Sequence, residues 1–170
     1  AWGPAEGVER MGYTLLANVL TAAGFALVML AAMVASLKRN AAAKFDWRYG
    51  LLWGAAGYVI FFVVPSLGLP PVIPGAAAAP LGARQLWWVL TVACTAAGLA
   101  SAAFGKTHWR WAALGLLAVP YLVGAPHPAT SPFADYPPAA AAELAKLARQ
   151  FVWATALANA LFWLALGSAS

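Results

Sequence analysis

The chain has 170 residues, of which 64% are hydrophobic and only 9% charged, and its mean hydropathy is +0.76. Soluble domains carry about a quarter charged residues, so a soluble globular domain is excluded and the sequence reads as one integral membrane domain covering 1–170. The net charge of +5 then becomes a matter of membrane topology, with no need to invoke nucleic acid.

A helix needs roughly 20 mostly apolar residues to cross the hydrocarbon core. The uncharged intervals supply five predicted spans, at 13–37, 49–67, 85–105, 111–125 and 151–170. These runs are long, continuous and rich in Ala and Leu, without the period-two polarity of a membrane barrel. The expected fold is therefore an all-α polytopic bundle with five transmembrane helices.

The opening "AWGPAEGVERMGY" places Pro4 ahead of Glu6 and Glu9, which suits the first turn and positive end of a helix, with Trp2 as an interfacial anchor. Within the first span Thr14 and Asn18 are four apart and share a face. The second span carries Gly50, Gly54 and Gly57, a small-residue pattern that lets another helix approach closely. A charge-free loop with five prolines follows, "PSLGLPPVIPGAAAAPLGA", expected to be ordered and to lie against the bundle.

The third span opens with "ARQLWW", which places Arg84 and two tryptophans at the outer interface. Its interior is small and mildly polar, with Thr91, Cys94, Thr95 and Gly98. Cys94 is the single cysteine, so no disulfide forms within the chain. The fourth predicted span is the shortest and contains Pro120; it ends on "GAPHP", where His127 stands between two prolines. His127 is either a metal ligand or a residue that caps the preceding helix, whereas His108 in "GKTHWR" reads as interfacial. After Pro138 a helical extension over 139–150 leads into the last span, which repeats the first: residues 14–20 and 155–161 both read T-x-L-A-N-x-L. Buried asparagines seek partners in lipid, so Asn18 and Asn159, flanked by Thr14 and Thr155, are expected to join the first and last helices.

Orientation follows from the basic residues. One side holds Lys38, Arg39, Lys44, Arg48, Lys106 and Arg110 against Asp46, a net of +5; the other holds Arg10, Arg84, Lys146 and Arg149 against Glu6, Glu9, Asp135 and Glu143, a net of zero. The positive-inside bias puts the amino terminus outside and the carboxyl terminus in the cytoplasm. An exported amino terminus calls for a further helix or signal peptide ahead of Ala1.

No metalloprotease, nucleophile-elbow or phosphate-loop motif is present in the sequence, and no acid falls within the predicted spans, so an enzyme is not expected. His127, Glu6, Glu9 and Asp135 gather on the predicted outer face, and imidazole with carboxylate oxygen suits a divalent first-row cation.

Taken in order, "WGPAEGVER", "TLLANVLTAAGFAL", "GLLWGAAGYVIFFVVPSLGLPPVIPG", "LGARQLWWVLTVACTAAGLA", "LVGAPHP" and "NALFWLALG" resemble the CbtA family of predicted cobalt transporter subunits along nearly the whole chain. The resemblance implies a multi-pass protein of the bacterial inner membrane, tied to cobalt supply and working with a small histidine-bearing partner subunit. It also implies a cation path marked by Glu6, Glu9, Arg10, Asn18, Arg84, Gln85, His127 and Asn159. The family's usual amino-terminal helix and histidine-rich stretch are not seen ahead of "WGPAEGVER". The alternative reading is a non-catalytic structural subunit that packs against and stabilises a larger membrane complex through small-residue faces and nine tryptophans.

Overall fold

A computed structural model describes residues 3–39 and 46–169; Trp2 and Lys44 lie outside them. All regular structure among these residues is helical, in five helices: α1 (Val8–Arg39), α2 (Trp47–Gly68), α3 (Leu81–Phe104), α4 (Thr107–Val123) and α5 (Pro138–Ser168). Four of them, α1, α2, α3 and α5, are long and apolar enough to cross a membrane. The fifth expected span is corrected here. The segment predicted at 111–125 lies in α4, whose 17 residues reach only about 25 Å at 1.5 Å per residue, short of the ~30 Å hydrocarbon core. Backbone over 124–137 is not helical.

Local chemistry sets the helix ends. In α1 the helix starts at Val8, later than Pro4 suggested, with Glu9 in its first turn and the Glu9 carboxylate accepting from the Ala5 N–H at 3.2 Å. Asp46 caps α2 by accepting from the Tyr49 N–H at 2.9 Å, as short polar side chains do at helix starts. Pro138, whose missing N–H costs nothing in a first turn, opens α5. The expected extension and last span are thus one continuous 31-residue helix.

One feature of α2 has no counterpart in the expected spans. Residues Val59–Val63 form a π turn, in which the Val64 N–H donates to Val59 O. Pro65, buried one residue on, has no N–H and would press its ring on the preceding turn. The wider turn relieves that crowding, and such turns concentrate at functional sites.

The contacts gather into two compact units. The first comprises residues 1–55 and 162–170, the second 56–161. In the first, Phe25 of α1 packs edge-on against Phe162 and Trp163 of α5, with centroids 6.2 and 5.1 Å apart. Below them Met29, Met33 and Ser36 of α1 are buried, and the Ser36 and Tyr49 hydroxyls bond each other. Two of the glycines expected to admit a neighbour, Gly50 and Gly54, do so. A Cβ on Gly54 would fall on Trp163 O, and one on Gly167 would come within 2.6 Å of Gly50 O. In contrast, residues 8–21 of α1 are exposed throughout.

In the second unit, α4 runs back along α3. Trp87, Thr91, Thr95 and Gly98 form the buried face of α3; a Cβ on Gly98 would meet Ala113 O of α4 at 3.3 Å. The two threonine hydroxyls donate to carbonyls of their own helix, Trp87 O at 2.8 Å and Thr91 O at 2.7 Å. This satisfies both hydroxyls where no water reaches.

Candidate functional site

Within the second unit, the end that carries His127 is built from the ends of three helices and two proline-rich loops. Pro65 and Pro120 are both fully buried. The indole N–H of Trp87 donates to Pro120 O at 3.0 Å, and the Tyr121 hydroxyl donates to Val64 O at 2.6 Å, tying α4 to α3 and to α2. The Trp87 ring edge lies against Gly68, where a Cβ would also meet the Ala125 methyl at 3.2 Å. The loop at 69–80 is ordered against the bundle, as its prolines suggested. Its Ala77 N–H donates to Pro132 O at 2.8 Å, Tyr136 donates to Gly75 O at 3.4 Å, and Ala79 is buried.

His127 leaves this packed base. Gly124, not His127, closes α4: its N–H donates to Pro120 O at 3.0 Å with φ at +85°, a conformation that costs glycine little. The capping reading of His127 is therefore replaced. Its imidazole is exposed and makes no hydrogen bond among the described residues, leaving both ring nitrogens available. Arg84 is half-buried and Gln85 exposed at the start of α3. The tryptophans beside them differ: Trp88 is partly exposed, whereas Trp87, expected as an interfacial anchor, is 4% exposed and belongs to the core.

The other predicted residues are held as follows. Glu6 pairs with Arg10 at 3.5 Å on the exposed surface, an interaction worth little in water, and Glu9 serves the α1 start. Thr14 donates to Arg10 O at 2.8 Å. Asn159, on a half-buried stretch of α5 with Thr155, donates to Thr155 O at 2.9 Å, within its own helix. Asn18 is exposed and makes no side-chain hydrogen bond among the described residues. The neighbouring of the first and last helices is real, but the described contact is aromatic, through Phe25, and not through amides. Among the described residues no three His, Cys, Asp or Glu side chains form a group that could hold a metal ion.

Trp87, Pro120 and Tyr121 organise this end of the unit and carry no polar signature in sequence. The one signal that could have found them is the spacing 87, 91, 95, 98, a single face of α3 in which an indole heads a run of small residues.

The model of the CbtA family, a probable cobalt transporter subunit, matches residues 1–170, the whole chain. The chain belongs to the CbtA family. No curated protein and no solved structure matches it. Membership points to a cobalt transporter subunit, in keeping with the four apolar helices among the described residues. A subunit implies a partner subunit and a membrane setting. As a CbtA protein it is of a transport family.

Proposed function

We propose that this CbtA chain is a subunit of a cobalt transport system in the bacterial inner membrane, and that its outer face gathers the cation for passage. The family match over the whole chain carries the reading. The charge bias between loops supports an amino terminus outside and a carboxyl terminus inside; α4, too short to cross alone, lies back along α3 with Pro120 O held by Trp87 near the start of that helix, and the non-helical chain after Val123 covers the remaining distance to the outer face. Toward that face His127 offers an imidazole and, separately, Glu6 and Glu9 offer carboxylates, each a donor type suited to divalent first-row cations. Arg10, Arg84 and Gln85 orient the outer surface. Asn18 and Asn159, with Thr14 and Thr155, supply the polar positions at membrane depth. The metal is cargo, bound in passing, so no permanent cage is required.

A second reading, a structural subunit of a larger membrane complex, is favoured by one observation: the exposed Asn18, which makes no side-chain hydrogen bond among the described residues, on an exposed stretch of α1. One experiment separates the two. Cells lacking the chain and complemented with wild type or variants are tested for uptake of radioactive cobalt. His127→Ala and the pair Glu6→Gln with Glu9→Gln are expected to lower apparent cobalt affinity roughly ten-fold or more, the scale on which metal sites respond to lost support. Uptake unchanged by these variants but abolished by deleting the chain favours the structural reading.

A further inference from the structure

We propose that the turn joining α3 to α4 is a binding surface for anionic phospholipid headgroups. The turn is tightly built. Gly105 closes α3 by donating to Ser101 O at 2.9 Å, and the Trp109 and Arg110 N–H groups fold back onto Lys106 O at 2.8 and 3.3 Å. A Cβ on Gly105 would fall on Ser101 O and meet Trp109 Cβ at 2.9 Å, so the close return of the chain depends on this glycine.

Its side chains alternate cation and indole. Lys106, His108 and Arg110 are exposed, and Trp109 and Trp111 are 56% and 72% exposed. Lys106 stands immediately before α4 and Arg110 lies in its first turn, so both charges sit at the same end of the helix. Neither forms an ion pair among the described residues, where the salt bridges are Arg10 with Glu6 and Lys146 with Glu143. No acid occurs in the sequence between Asp46 and Asp135, so nothing on α2, α3 or α4 after Asp46 can neutralise this charge. The first turn of α4 also lacks an acid and a side-chain cap. Cations therefore stand at the positive end of a helix, the reverse of the favourable arrangement.

An anion from outside the chain completes this electrostatics, and the indoles identify its source. The turn ends α3, a 24-residue apolar helix long enough to cross the bilayer, which puts it at a membrane surface. There tryptophan settles among headgroups and cations attract anionic lipid. A soluble anion would use the cations and leave two exposed indoles in water; a phospholipid uses both.

The test uses the whole protein in detergent micelles doped with phosphatidylglycerol or phosphatidylcholine, with retained lipid counted by native mass spectrometry. Wild type is expected to retain phosphatidylglycerol preferentially. Each cation contributes about five-fold on the scale of surface polybasic segments, so Lys106→Gln with Arg110→Gln should weaken that preference by about 25-fold. Lys106→Arg with Arg110→Lys, which keeps the charge, should retain it, as should Lys146→Gln with Arg149→Gln, which removes the same charge elsewhere. The proposal is overturned by a preference that survives the first pair, by equal loss in either control pair, or by displacement of the lipid with inorganic phosphate.

Discussion

Glycines in this chain divide sharply by what surrounds them. Gly54 faces the backbone of α5 at Trp163 and Gly167, whereas Gly12 on α1 has nothing within 4 Å of a would-be Cβ. Backbone cannot swing aside as a side chain can, so overfilling such a crossing costs about 3 kcal/mol or more. Gly54→Val and Gly167→Val should therefore lower the thermal midpoint of the detergent-solubilised protein by many degrees. Gly12→Ala should leave it unchanged or raise it slightly, because alanine is the better helix former by about 1 kcal/mol. Equal midpoints for Gly54→Val and wild type would dispose of the close crossing. Sequence spacing identified Gly50 and Gly54 but could not say which helix they admit, since the pattern fixes only a small face on one partner. Trp87 illustrates the opposite limit. Next to Arg84 and Trp88 it has the surroundings of an anchor, and only the position of Pro120 O on a facing helix makes it core.

At the level of elements, α1 is one face with two fates. Phe25, Met29, Met33 and Ser36 are packed, while Asn18, five helical turns above Ser36 and in line with it, is exposed. An exposed amide that bonds no described residue gains little for the fold, so Asn18→Leu is expected to change the stability of the purified chain by less than about 0.5 kcal/mol. The same substitution should lower cobalt uptake if Asn18 serves the cation's route. A large loss of stability would show instead that Asn18 is bonded within the chain. Helices α1, α2, α3 and α5 were legible from uninterrupted apolar runs. The π turn was not, because Pro65 alone does not say whether a helix kinks, stops or widens, and the length of α4 was obscured by apolar residues that continue past its end.

For the whole molecule, orientation is the open quantity that charge addresses. With Cys94→Ser as background, single cysteines at Lys106 or Arg110 should react with an impermeant maleimide only after the cells are opened. Cysteines at Thr130 or Asp135 should react in intact cells. The reverse pattern would invert the proposed topology and remove His127, Glu6 and Glu9 from the outer face. The candidate site was only partly legible for a related reason. Its residues are scattered along the chain, and a cargo that must be released leaves no cluster of fixed spacing to find; the ordered motifs of the family supplied what the donor residues could not.

The bond from Trp87 to Pro120 O has a consequence for how the protein is made. A 17-residue helix that begins among cations has too little apolar length to leave the insertion machinery for lipid unaided. Pro120 removes a further N–H from its ladder, so its carbonyls need shelter that a single helix in hydrocarbon lacks. Helix α3 packs along α4 with its threonine face, and its indole donates to Pro120 O near the end of α4. The pair is therefore expected to enter the membrane together, as a hairpin whose second arm depends on the first.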